Sequence, residues 1–263
     1  MIAFVRTDLS TGNDDIWLMN VNNPVGATPF SAINTANNEG APTWSPDGQW
    51  LAYASNEGGD GDIYAVNIST GARVNLTSAG TFNEGQPDWS PMVGDNRIAY
   101  ISDRTGSTQV FTNVINVGVS PATFTGRVQI TTISQVNNLL VTYRAPKWSP
   151  NGSLLAFSGN RRDRTDFDVW YVPYSNGAWG AEVNWTGGRF STDDEFVAWD
   201  PQHIQNINQY RIAFTSRNED QTGTREILIR RRWKSGSNPD VFSQTTVKPG
   251  WTNPINGERN PDW

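Results

Sequence analysis

Glu39, Glu84, Asp194 and Glu258 each stand five residues before a tryptophan, and Tyr143 holds the same offset from a fifth. Carboxylates recurring at one register can be used in three ways. If the strands that carry them line a common channel, the side chains form an acidic ring at its mouth, where like charges raise one another's pKa unless a cation or a donor compensates. Oxygen ligands from Glu39, Glu84, Asp194 and Glu258 suit Ca²⁺ better than zinc or copper, which prefer nitrogen and sulfur. The same ring, with Tyr143 in the remaining repeat, could bind a basic group of a peptide. In the third reading each carboxylate accepts backbone hydrogen bonds from a neighbouring repeat and serves the framework alone. The sequence requires no cofactor.

Constellations for covalent chemistry are scarce. The protein has no cysteine and one histidine, so a Cys/His pair is impossible and a Ser/His/Asp triad would hang on His203, in the variable stretch 201–209. The Gly-x-Ser-x-Gly elbow is missing. A glycosidase-type carboxylate pair is the one hydrolytic arrangement that the 26 acidic residues permit, and it is the minor reading. Gly58-Gly59-Asp60-Gly61 reads as a turn between strands, since no helix follows to supply amide donors to a phosphate. Asp60, Asp62, Asp163, Asp166 and Asp168 lack the spacing and terminal glutamate of a calcium-binding loop. On a strand, the run Arg230-Arg231-Arg232-Trp233-Lys234 divides its charge between two faces, which makes a poor nucleic-acid patch. The protein is therefore expected not to be an enzyme.

The elements that must position these residues are repeats. Pro42-Thr43-Trp44-Ser45-Pro46-Asp47-Gly48, Pro87-Asp88-Trp89-Ser90-Pro91, Pro146-Lys147-Trp148-Ser149-Pro150-Asn151-Gly152 and Val197-Ala198-Trp199-Asp200-Pro201 align with one another. After each comes an apolar strand: 50–55, 97–102, 154–158 and 211–216. A third strand follows at Asp62-Ile63-Tyr64, Gln109-Val110-Phe111, Asp168-Val169-Trp170 and Glu226-Ile227-Leu228, and an outer fourth is clearest at 73–77 and 127–131. Pro, Asp or Asn, and Gly in succession are hairpin-turn chemistry, and self-similarity at intervals of this size marks a propeller of four-stranded meanders. Tryptophan at the end of each first strand is expected to wedge between adjacent sheets.

The sequence ends on Asn260-Pro261-Asp262-Trp263, a first strand without its hairpin, and opens on Met1–Arg6 and Asp15-Ile16-Trp17, a second and third strand without their first. With first-strand tryptophans at Trp44, Trp89, Trp148, Trp199 and Trp263, the expectation is an all-β, five-bladed β-propeller of four-stranded antiparallel blades, a single domain over residues 1–263. Its ring is closed by the C-terminal strand joining the N-terminal blade, where Asn260, Pro261, Asp262 and Trp263 would meet Ile2 and Phe4. The alternative is that this strand completes the first blade of another copy, which would build an extracellular filament or array.

A net charge of −6 disfavours nucleic acid and anionic lipid, and no segment is long and apolar enough to span a membrane. The opening residues do not read as a secretory signal.

Trp-Ser-Pro-Asp-Gly, then Leu-Ala-Tyr-Ala-Ser, then Asp-Ile-Tyr resembles the TolB-like propeller repeat, which is similar to the propeller domains of prolyl-oligopeptidase-type peptidases. The resemblance covers essentially the whole sequence, with departures at Met92-Val93, Asp200, Gln109 and Glu226. It implies a non-catalytic module outside the cytoplasm, periplasmic or secreted, that binds a protein or peptide at its faces or channel.

Overall fold

A computed structural model of the 263-residue protein describes residues 1–78, 80–132, 135–136, 139–160, 166–186, 192–201, 209–218, 225–233 and 241–247. Every regular element among them is a β-strand, as the repeats require. The fold divides into two compact units, Met1–Thr132 and Ile133–Trp263.

The first unit holds three antiparallel sheets. In the first, β1 (Ile2–Thr7), β2 (Asp14–Asn20) and β3 (Asn23–Pro29) pair in sequence order. The second is a four-stranded meander of β4 (Glu39–Trp44), β5 (Trp50–Ser55), β6 (Asp62–Asn67) and β7 (Arg73–Asn75), and the third repeats it with β8 (Glu84–Trp89), β9 (Arg97–Ser102), β10 (Gln109–Asn116) and β11 (Thr123–Gln129). The opening residues thus form a three-stranded sheet, and β1 has no partner on its outer edge among the described residues. Residues 260–263, expected to fill that edge, lie outside the described residues.

In the second unit a two-stranded ribbon, β12 (Gln135–Val136) and β13 (Leu139–Leu140), precedes two further sheets. One runs β14 (Tyr143–Trp148), β15 (Leu154–Gly159) and β16 (Asp168–Ser175), with β17 (Ala178–Trp179) and β18 (Val183–Asn184) both pairing with β16. The other runs β19 (Thr192–Trp199), β20 (Gln209–Asn218), β21 (Arg225–Trp233) and β22 (Val241–Val247). None of the described sheets closes on itself. The arginine run falls on β21, and the 201–209 stretch that carries His203 lies almost wholly outside the described residues.

The cores sit between successive sheets because each sheet has two faces to cover. Trp89 is buried with Ala52 and Ala65 of the sheet before it and Ile98 and Ile115 of its own. Trp199 is buried likewise with Leu154, Val169, Tyr171 and Trp185 before it and Ile212 and Phe214 behind. Trp44 is half-buried against Ile16 and Ile33. Small residues at 52 and 65 leave room for an indole, which is why one aromatic per sheet can act as the wedge.

The first hairpin turn behaves as its sequence dictates. Ser45 Oγ donates to Asp47 Oδ1 at 2.5 Å, Gln49 N donates to the same oxygen, and Gly48 takes the left-handed conformation at φ 69°. These donors hold the Asp47 carboxyl below its ordinary range. Ser149, Asn151 and Gly152 repeat the arrangement. In the third sheet, where Met92-Val93 interrupts the motif, Asp95 takes over: it accepts from Ser90 Oγ at 2.9 Å and pairs with Arg97 at 2.8 Å.

Candidate functional site

The repeated carboxylates start the first strand of their sheets or lie within it, and the antiparallel register decides what faces them. Glu39 lies opposite Ser55, Glu84 opposite Ser102 and Asp194 opposite Ser216, in each case the serine near the end of the second strand. All three carboxylates are buried, at 0%, 4% and 0% exposure. Ser102 Oγ donates to Glu84 Oε1 at 2.7 Å and Ser216 Oγ to Asp194 Oδ1 at 2.6 Å. Ser55 Oγ reaches Glu39 Oε1 at 3.3 Å, and Thr35 adds its hydroxyl at 2.7 Å and its backbone N–H at 3.2 Å.

Buried carboxylates need compensation, and two different answers appear. Glu84 forms an ion pair with Arg104 at 2.5 Å, both side chains almost fully enclosed, and the guanidinium also lies over the rings of Phe82 and Phe111 at 5.3 and 5.5 Å. Burial still pushes the Glu84 carboxyl above the usual glutamate range, against the opposing pull of Ser102 and Arg104. Glu39 has neutral donors only. Burial drives it upward too, Thr35 and Ser55 oppose, and neighbouring Asp15 adds to the rise.

Tyr143, the exception in the series, is explained by the residue across from it. Its partner in the ladder is Gly159 where the other sheets have serine. A Cβ on Gly159 would lie 2.6 Å from the Tyr143 ring. The phenol ring therefore fills the volume that a carboxylate and a serine share elsewhere, packed edge-on against Phe157. Both positions of the pair differ together from the other sheets.

Backbone bonds link consecutive sheets at the same register. Glu84 N donates to Gly61 O of the preceding sheet at 2.7 Å, and Asp194 N donates to Phe167 O at 2.6 Å. Gly61 is obligatory there, since a Cβ would sit 2.9 Å from Glu84 O. Glu84 and Asp194 thus tie neighbouring sheets through their N–H groups, while the carboxylate side chains bond to serine within the same sheet and to Thr35 and Arg104.

Two residues further along, every described first strand breaks its ladder. Register shifts occur between Gly40 and Thr43, Gly85 and Asp88, Arg144 and Lys147, and Glu195 and Ala198. At each, a non-glycine residue three before the tryptophan adopts a left-handed backbone: Ala41, Gln86, Ala145 and Phe196, at φ 49°, 51°, 51° and 53°. A strained conformation kept in four sheets is a designed bulge. In the second unit the flanking residues Arg144 and Glu195 form an ion pair across β14 and β19, with Glu195 buried and the Arg144 guanidinium 3.4 Å from the Phe167 ring centre.

A second motif went unread in the sequence. Thr77 Oγ1 donates to Asp62 Oδ1 at 3.0 Å and accepts from Ile63 N at 2.9 Å, while Asn75 Nδ2 donates to Asp62 Oδ2 at 2.9 Å. Thr186, Val169 N, Asn184 and Asp168 repeat this clamp, and Thr131, Val110 N and Gln109 repeat its hydroxyl part. The signal was Asn-x-Thr or Gln-x-Thr recurring where the outer strand ends in three sheets, at Asn75-Leu76-Thr77, Gln129-Ile130-Thr131 and Asn184-Trp185-Thr186.

Among the described residues no group of three or more His, Cys, Asp or Glu side chains is placed to share a metal ion. Glu258 lies outside the described residues. Of the edge residues, Ile2 is 43% exposed and Phe4 half-buried on β1.

A model of the TolB beta propeller domain matches residues 2–143, more than half of the sequence. A Tol-Pal system protein TolB from Xanthomonas campestris pv. campestris (strain B100) is 39% identical over 77 residues, which are 29% of this protein and 17% of that one. The crystal structure of TolB from Acinetobacter baumannii superposes with a TM-score of 0.61 at 15% identity, over 93% of this protein and 60% of that one. A prolyl endopeptidase structure aligns with a TM-score of 0.51 at 14% identity, over 94% of this protein and 33% of the other. At such identities the structural likeness speaks for fold alone.

Proposed function

The protein belongs to the TolB β-propeller domain family, and from that premise we propose that it is a non-catalytic binding propeller acting outside the cytoplasm on a protein or peptide segment, in the manner of a Tol-Pal system component. In this reading the five sheets are blades of one ring over residues 1–263, closed beside β1 by residues 260–263. The observation that carries it is the family match, which runs through the first three sheets. The burial of Glu39, Glu84 and Asp194 fits it, because side chains enclosed within their sheets are framework and leave recognition to the loops and outer surfaces. The test is calorimetric titration of the folded protein with purified components of a Tol-Pal system from a Xanthomonas relative. A Kd of about 1 µM or tighter with one component, worth roughly −8 kcal/mol, supports the proposal. Binding to none of them by protein shown to be folded defeats it.

A second reading is favoured by the edge of β1 that no described strand pairs, where Ile2 and Val5 are 43% and 39% exposed. An unpaired strand edge invites another strand, and a second copy could supply it. Light scattering decides between the two. A 29.1 kDa species at all concentrations leaves the edge to the protein's own C-terminus, while larger assemblies lost on deleting residues 260–263 make self-assembly the function.

A further inference from the structure

Two Asn-Gly pairs lie among the described residues, and the structure treats them oppositely. Asn151-Gly152 sits in the turn after β14. Its Asn151 Oδ1 accepts from Ser149 Oγ at 2.8 Å and from the N–H and hydroxyl of Ser153 at 3.2 and 2.8 Å. Gly152 is buried, and its N–H donates to Ser149 O at 2.8 Å. Asn176-Gly177 forms the two-residue loop between β16 and β17, both residues left-handed at φ 51° and 80°, the geometry Asn-Gly is chosen for in tight hairpins. Both are exposed. Among the described residues neither the Asn176 amide group nor the Gly177 N–H has a hydrogen-bond partner.

From this contrast we propose that Asn176 is a site of spontaneous covalent modification, converted to isoaspartate and aspartate through a cyclic imide, and that Asn151 is protected. The Gly177 backbone nitrogen loses its proton to hydroxide and attacks Asn176 Cγ. The new N–C bond closes a five-membered ring, and the bond from Cγ to Nδ2 breaks to release ammonia. Water then opens the ring. Attack at the former Cγ carbonyl returns an aspartate, and attack at the Asn176 main-chain carbonyl leaves an isoaspartate, whose backbone runs through the former Cβ and Cγ. Glycine at the following position offers no side chain to obstruct the attack. At Asn151 the same step would first have to break the Gly152 bond and release Oδ1 from its donors.

The product has a structural consequence. Tyr174 and Trp179 are cross-strand partners one pair beyond the loop, with ring centres 4.7 Å apart, and Trp179 packs tilted against Trp148 at 5.5 Å. A backbone longer by one methylene in a two-residue loop shifts that register, and the added carboxylate places a charge beside the three rings.

The experiment is peptide mapping by mass spectrometry of the intact folded protein held at 37 °C at mildly acidic and mildly alkaline pH, with isoaspartate identified by its methyltransferase. The expected result is conversion at Asn176 faster in alkali and exceeding that at Asn151 by on the order of tenfold, the factor that breaking one typical hydrogen bond implies. Asn176→Gly, which suits the left-handed loop, should abolish the signal there and keep the tryptophan fluorescence constant over the incubation. Equal conversion at both sites in the folded protein, or conversion at Asn151 alone, overturns the proposal.

Discussion

The Glu84–Arg104 pair sets the residue scale, since removing one partner of a buried ion pair leaves a charge with nothing to offset its desolvation. Arg104→Ala is expected to lower unfolding free energy by about 3–5 kcal/mol in urea titrations, and adding Glu84→Gln should recover more than half of that loss. Glu39 predicts a pH dependence. Its carboxyl is raised in the folded protein by burial, so folding takes up a proton near the ordinary glutamate range. The stability this group contributes is complete below the unfolded value and is lost as pH rises through the folded one. Glu39→Gln should therefore flatten the fall in stability between mildly acidic and neutral pH, whereas an unchanged slope would mean that another group sets it. At Tyr143, Gly159→Ser should cost about 1–3 kcal/mol by overpacking against the phenol ring, again read by chemical denaturation. Combined with Tyr143→Glu it should cost less than the sum of the two single changes, because the double variant restores the acid–serine pair of the other sheets.

At the scale of the element, the bulge and the outer-strand clamp shape each sheet. The alternation of strands and the Ser-Pro-Asp-Gly turns were legible because side-chain period and turn chemistry are local. The bulge was not, although Pro42, Pro87 and Pro146 follow it, since a left-handed alanine at 41 or 145 is imposed by the ladder on either side and has no sequence preference of its own. The clamp lends itself to a direct test. Thr77→Val keeps the shape and removes the hydroxyl between Asp62 and Ile63 N, and should cost about 1–3 kcal/mol in a denaturant titration by leaving buried groups unmatched. A loss near zero would show that the clamp is incidental.

For the whole molecule, the wedging tryptophans join one sheet to the next. Trp89→Ala should cost about 3–5 kcal/mol and lower the melting temperature, because it opens a cavity between two sheets and not within one. By itself the sequence determined the all-β class, the meander order of β4–β7, β8–β11 and β19–β22, the role of Trp89 and Trp199 and the family, since all of these follow from patterns that repeat along its length. It also found the register at which Glu39, Glu84, Asp194 and Tyr143 recur. What those side chains do there was decided by tertiary structure alone. Ser55, Ser102, Ser216, Arg104 and Thr35 reach the carboxylates across strands or around turns, and Gly159 makes room for Tyr143. Burial and hydrogen bonding depend on which strands face one another, and no spacing along the sequence holds that information.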